Sequence, residues 1–236
     1  MKQIAVVTGA SSGIGLAISD TLCKLGYEVY GFGRDFSRQE TGVLLEKYPG
    51  FHPLEGDLLE TRDVLGRLQE IPDRQNIRVL VNNAGVGYYG LHEELNPLQI
   101  MELVRTNLEL PMILTGQLLR TLKANHGYVI NISSVTAEEI NPHGCAYGAT
   151  KAGLTSFGDS IFAENRKYGL KVTTIQPDMT VSRLYRNANF EQGEEPGSYL
   201  KPEQIAEAVA YVLTREEGVV IPKITLQPQL HRIRRK

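Results

Sequence analysis

Thr8-Gly9-Ala10-Ser11-Ser12-Gly13-Ile14-Gly15 follows directly on the β-branched run Ile4-Ala5-Val6-Val7 and leads into Ile14, Ile18, Leu22 and Leu25 at helical spacing. Glycine at 9, 13 and 15, between a first strand and an amphipathic helix, permits a tight turn. It also lets bare backbone N–H groups approach a pyrophosphate at the helix N-terminus. The same glycines serve turn and helix packing alone in many proteins, so the reading draws its weight from what surrounds them.

Outward from this loop, short β-branched or apolar runs recur at Glu28–Phe32, Phe51–Glu55, Arg78–Asn82, Tyr128–Ser133, Lys171–Gln176 and Val219–Leu226, separated by helical patterns such as Ile205, Val209 and Val212. Seven strands alternating with helices call for α/β architecture: a doubly wound, Rossmann-type fold with a mostly parallel seven-stranded sheet and right-handed crossovers. Ligands in such sheets collect beyond the carboxyl ends of the strands, where connections reverse direction. The residues there include Gly33-Arg34, Gly56-Asp57-Leu58, Asn82-Asn83-Ala84-Gly85, Ser133-Ser134 and Pro177-Asp178.

The 236 residues, 42% apolar and 22% charged, fit one soluble domain, and no linker or repeat divides them. A net charge of -2 offers nucleic acid no global attraction. The basic run His231-Arg232-Ile233-Arg234-Arg235-Lys236 reads as a solvated tail. Cys23 and Cys145 are too few for a disulfide framework, and the isolated histidines show no metal-ligand spacing, so no metal is expected. Without a signal-peptide pattern or an apolar run of spanning length, a cytoplasmic protein with no membrane partner is expected.

The spacing Gly9-x-x-x-Gly13-x-Gly15, followed in order by Asp57, Asn82 to Gly85, Asn107, Ser134, Tyr147 and Lys151, resembles the short-chain dehydrogenase/reductase family through most of the chain. The resemblance implies an oxidoreductase moving a hydride between a nicotinamide cofactor and a carbonyl or alcohol, a carbonyl reductase in one direction. It also implies a homodimer or homotetramer. Gly9, Ser11, Ser12, Gly13, Ile14 and Gly15 would cradle the cofactor phosphates. Asp57 and Leu58 would line the adenine site, and Asn83, Ala84 and Gly85 would pass the ribose. In the family an acidic residue that selects NAD would occupy the place of Gly33, and Arg34 follows it, so NADP(H) is expected over NAD(H). Ser11 adds a hydroxyl nearby, and Asp35 comes one place too late for the acidic role.

Tyr147 and Lys151 share one face of a helix read through Phe162. Free tyrosine titrates near ~10, and a neighbouring ammonium favours its phenolate. By resemblance, Tyr147 is the general acid/base, Lys151 its electrostatic partner and Ser134 the hydrogen-bond donor to the reacting oxygen, while Ser133 is turned toward structure. Asn107, unfavourably placed inside the helix expected from Pro97 through Leu110, would organise a water linking Lys151 to solvent. Tyr147 and Lys151 would also touch the cofactor.

The departure from the family is Pro177-Asp178, where Pro-Gly is usual. It bears on Pro177, Thr180 and Ser182, whose family places contact the nicotinamide or phosphates. Leu184–Leu200 resembles a substrate-covering segment, with Tyr88, Tyr89, Glu138, His143 and Cys145 near the expected mouth. Small ketones, aldehydes, ring systems and thioesters remain open as substrates, as does a dinucleotide-sensing protein of the same fold without turnover.

Overall fold

The computed structural model describes residues 2–230 and 232–236. Its elements are β1 (Ile4–Thr8), α1 (Gly13–Lys24), β2 (Glu28–Gly33), α2 (Gln39–Lys47), β3 (Phe51–Glu55), α3 (Thr61–Glu70), β4 (Ile77–Asn82), α4 (Pro97–Val104), α5 (Leu110–Ala124), β5 (Tyr128–Ile132), α6 (Cys145–Asn165), β6 (Lys171–Pro177), β7 (Phe190–Gln192), α7 (Pro202–Leu213), β8 (Lys223–Leu226) and β9 (Ile233–Arg235). Seven of the strands form one sheet in the order β3-β2-β1-β4-β5-β6-β8, and every pair in it is parallel. The doubly wound Rossmann-type fold follows, in one domain.

Side-chain alternation along the strands feeds two cores. Ala5, Val7, Val79 and Val81 face α1, α2 and α7 through Ile18, Leu22, Leu44, Ile205 and Val209. Ile4, Val6, Leu80 and Val129 face α3 and α5 through Val64, Leu68, Leu114, Leu118 and Leu122. Because both faces are covered, the strands read as nearly continuous apolar runs. Within the sheet, the order runs outward in opposite directions from β1 and β4, and the crevice between their carboxyl ends is the natural ligand site.

Two local differences from the sequence reading have clear causes. The last strand of the sheet begins at Lys223 rather than Val219, because Val219 closes a turn on Glu216 and Pro222 lacks the N–H a ladder needs. The helix expected over Pro97–Leu110 is wound as a π-helical turn at Arg105–Glu109 before continuing as α5.

The basic tail is not simply solvated. His231 lies outside the described residues, but β9 pairs antiparallel with β7, within the segment expected to cover the substrate. Arg234 is ion-paired with Glu191 and Glu194, and Arg232 with Glu195. The acidic residues of that segment supply partners lying some forty residues away, which a local reading of charge runs does not register. Among the described residues, no helix is long and apolar enough to cross a membrane.

Leu114 is completely buried in the α5 layer. Leu114→Ala should lower the unfolding free energy by about 2–5 kcal/mol, measured by urea denaturation.

Candidate functional site

The loop after β1 is held from below by Thr8. Its buried Oγ1 accepts the N–H groups of Asn83 and Ala84, both at 3.0 Å, while the Asn83 amide donates to the Thr8 carbonyl at 2.8 Å. Asn82 braces the sheet one residue earlier, donating to Asn131 at 2.9 Å. The ends of β1 and β4 are thereby clamped together at the crevice. Gly15 allows the close packing this requires, since a Cβ there would lie 2.2 Å from the Gly9 carbonyl oxygen. Gly13, at φ +54°, opens α1 in free space: the nearest atom to a Cβ at this position would be 3.8 Å away, and bare backbone faces the cleft.

One cleft gathers Gly9, Ser11, Ser12, Gly13, Ile14, Gly15, Arg34, Asp57, Leu58, Asn83, Ala84 and Gly85 with Ser134, Tyr147, Lys151, Pro177, Thr180 and Ser182. Every residue nominated from the sequence therefore lines it except Asn107, which stands behind Gly85. Sequence reasoning passed over Val86, Glu102 and Thr106, which also line it, as do Leu184 and Arg186 of the segment expected to cover the substrate. Of the residues expected near its mouth, Glu138 is instead bonded to Lys223 and Gln176, and Cys145 Sγ lies 3.4 Å from His92 Nδ1.

The glycine-lined end fits a dinucleotide. At its far side, a Cβ on residue 33 would lie 2.7 Å from the Ser11 Cβ, so no carboxylate can be placed there without moving the phosphate loop. Arg34 is exposed beside it. Asp35 is occupied elsewhere, accepting from the Ser37 backbone and hydroxyl at 2.9 and 2.6 Å.

At the other end, α6 carries Tyr147 and Lys151 one turn apart, both buried. The Lys151 ammonium donates to the Ile132 carbonyl at 2.8 Å and lies 5.7 Å from the centre of the Tyr147 ring. Burial lowers the Lys151 pKa to about 8. Burial also pushes the Tyr147 phenol up, reinforced by Tyr185 and opposed by a hydrogen bond with Ser134. The free-standing expectation that the ammonium lowers this phenol is therefore not what dominates here: desolvation is the larger effect, and Tyr147 rests as a neutral phenol.

Ser134 Oγ accepts from the Thr136 backbone N–H at 3.2 Å and from the Thr136 hydroxyl at 3.0 Å. With its lone pairs so engaged, its own O–H is left to donate, and Tyr147 is its hydrogen-bond partner in the cleft. Thr136 had no signal in the sequence beyond being a small polar residue after a strand. Ser133 turns inward, bonded to the Lys151 carbonyl and Thr155.

Asn107 is completely buried. Its Oδ1 accepts from Val86 N–H at 2.9 Å, and its Nδ2 donates to the Val86 carbonyl at 3.0 Å and to Thr150 at 3.1 Å. Thr150 in turn donates to the Tyr147 carbonyl at 2.7 Å. The side chain thus welds the segment after β4 to α6, and the π-helical turn is what delivers it inward. Such turns often mark functional sites.

Asp178 replaces the family's glycine without backbone strain: among the described residues the non-glycines with positive φ are Asp73 and His126. Its N–H donates to the Leu226 carbonyl, and its carboxylate accepts the Met179 N–H at 2.7 Å. Thr180 is buried, its hydroxyl donating to the Asp178 carbonyl at 2.8 Å. Ser182 Oγ accepts from Leu184 N–H at 3.4 Å, opposite Gly13.

A phosphate cradle at a sheet crossover, joined to a serine, tyrosine and lysine at the far end of one cleft, defines a dinucleotide-dependent oxidoreductase. The family model for short chain dehydrogenases matches residues 3–193. A serine 3-dehydrogenase of Rhizobium radiobacter is 31% identical, over 97% of this chain and 94% of its own. The structure is similar to that of an alcohol dehydrogenase from the archaeon Thermococcus sibiricus complexed with 5-hydroxy-NADP, with TM-score 0.87 and 26% identity over 98% of this chain and 99% of that one. An actinorhodin polyketide ketoreductase with NADPH gives TM-score 0.84 and 26% identity over 98% and 97% of the two chains. The chain belongs to the short-chain dehydrogenase/reductase family.

Removing the Asn107 side chain takes both of its bonds from the buried Val86 backbone and one of the two hydrogen bonds of the Thr150 hydroxyl. Asn107→Ala should cost about 1–3 kcal/mol of stability for each group stranded, read by thermal and urea unfolding of the purified protein.

Proposed function

We propose that the protein is an NADP(H)-dependent reductase of carbonyl compounds, with Tyr147 as general acid/base. The observation that carries this reading is the meeting of a Ser134 hydroxyl hydrogen-bonded to Tyr147, a neutral Tyr147 phenol and the Lys151 ammonium at one end of a cleft whose other end is lined by glycines of the first loop.

When bound, the nicotinamide supplies the hydride, or takes it in the reverse direction. Gly9 to Gly15 would hold the pyrophosphate by backbone N–H groups, and Arg34 a 2′-phosphate. Ser134 donates to the substrate oxygen and fixes its position. Tyr147 gives its proton to the same oxygen as negative charge grows there. Lys151 stabilises the phenolate that this leaves, and the proton returns from solvent by way of Lys151 and the region braced by Asn107. Burial makes the phenol a weaker acid but keeps it protonated, so its proton is in place when the alkoxide forms. The opposite reaction, alcohol oxidation, must first ionise it. A homodimer or homotetramer in the cytoplasm completes the reading; exposed Leu98, Met101 and Val104 of α4 supply an apolar stripe for such association.

Tyr147→Phe should slow single-turnover hydride transfer by about 10²–10⁴-fold while leaving NADPH binding, followed by cofactor fluorescence, intact. NADPH bound but never consumed across a broad carbonyl panel would instead identify a sensor.

Lys151 is cationic below about pH 8 and neutral above it. Reductive kcat/KM should therefore be highest below that pH and fall as pH rises through it. Lys151→Met should lower the rate and remove that inflection.

Arg34→Asp should reduce the preference for NADPH over NADH by about tenfold or more, a charge-assisted bond being worth about 1.5–3 kcal/mol. The ratio of dissociation constants for the two cofactors tests it, and an unchanged ratio removes Arg34 from this role.

A further inference from the structure

The residues around Tyr147 form an aromatic enclosure that the chemistry of proton transfer does not by itself require. Tyr89 packs against Tyr147 with ring centres 5.6 Å apart, stacks on Tyr185 at 5.9 Å and meets Phe190 edge-on at 5.1 Å. Tyr185 and Phe190 are themselves 5.6 Å apart. Tyr185 lines the cleft with Ser134, Tyr147 and Leu184. Its phenol is pushed up by burial and by Asp178, against a bond from the Thr180 backbone N–H.

We propose that Tyr185, backed by Tyr89 and Phe190, is the substrate-selecting wall of this cleft, and that the carbonyl compound it selects carries a flat, uncharged aromatic or conjugated group beside the reacting carbon. The inference rests on the carbonyl-reductase reading and specifies its substrate class.

Electrostatics supports the choice. The influences on Tyr147 are burial, Tyr185 and Ser134, with no cation among them. Lys151, the nearest ammonium, is held by the Ile132 carbonyl. Of the three arginines lining the cleft, Arg34 and Arg186 both act on Tyr88, whose hydroxyl donates to Glu102 at 2.5 Å, so they belong to the Glu102 side, while Arg183 is exposed to solvent. A carboxylate next to the reacting carbon would be buried against rings without a partner, at a cost of several kcal/mol. A flat apolar group meets aromatic faces and edges suited to offset stacking.

The wall is also held from a distance. Phe190 opens β7, which β9 pairs. The Lys236 ammonium donates to the Tyr185 carbonyl at 2.8 Å, and Arg234 binds Glu191 and Glu194. Arg234 is a positioning residue for the wall, acting through β7 and touching no substrate.

The test compares acetophenone, butanone and acetoacetate as substrates of the full-length enzyme with NADPH, alongside binding of acetophenone to the NADP⁺ complex by ligand-observed NMR. Acetophenone should have the highest kcat/KM. Tyr185→Ala should raise its KM by about tenfold, the loss of an aromatic contact and the area it buries, and should raise the KM for butanone far less. Tyr185→Phe should behave as the wild type, because the ring and not the hydroxyl selects. Arg234→Glu should raise the acetophenone KM and leave the NADPH dissociation constant unaltered. Acetophenone that binds in a Tyr185-dependent way but is not reduced would uphold the wall and overturn the reductase reading. Turnover that favours acetoacetate, or that Tyr185→Ala leaves unaffected, would overturn the wall and leave the reductase reading standing. Absence of both binding and turnover of acetophenone would overturn the wall.

Discussion

Thr8 Oγ1 accepts two backbone N–H groups from the end of β4, and much of the site depends on that clamp. Strand order reverses between β1 and β4, so the connections leaving them run to opposite sides and their ends would otherwise part. A crevice is useful only if its two walls keep a fixed spacing, and the clamp fixes it with bonds shielded from water. The Asn83 amide, returning to the Thr8 carbonyl, closes the loop from the other side. Glycine at 15 is the steric counterpart, because the same closeness that makes the clamp leaves no room for a side chain.

The second constraint is dryness. Tyr147, Lys151 and Asn107 are all nearly inaccessible to solvent, and removing water affects the first two in opposite directions. The phenol becomes a weaker acid, and the ammonium more ready to give up its proton. A dry site therefore moves their proton affinities apart, so that the ammonium readily returns a proton to a phenolate beside it. The Ile132 carbonyl keeps the ammonium from being an unpaired buried charge, and the Asn107 weld keeps α6 from drifting away from the segment after β4. Positioning and proton affinity thus come from one packed unit.

Much of this was legible in the residues. The loop Thr8 to Gly15 and the alternation of strands placed the sheet and the cradle, because glycine spacing and period-two apolar runs are local signals. The unfavourable position of Asn107 inside a helix marked a constraint, and the π-helical turn is its structural form. Asp178 looked disruptive where glycine is usual, yet its ordinary backbone shows that nothing at this place demands a positive φ. What stayed hidden depends on partners remote in sequence. The balance between ammonium and desolvation at Tyr147 required knowing what covers it, and neither Thr136 under Ser134 nor β9 against β7 leaves a periodic trace.

The cover over Tyr147 draws on forces of different reach. Ring contacts among Tyr89, Tyr185 and Phe190 act only at contact and exclude water. The pairs of Arg232 and Arg234 with Glu191, Glu194 and Glu195 are exposed, so each contributes about 0–1 kcal/mol, and salt weakens them further. Neither alone would keep a surface segment in place against its chain entropy. The short β7–β9 ladder fixes the direction of approach, the ion pairs hold that ladder in register, and the rings deliver the dryness that the phenol and ammonium need.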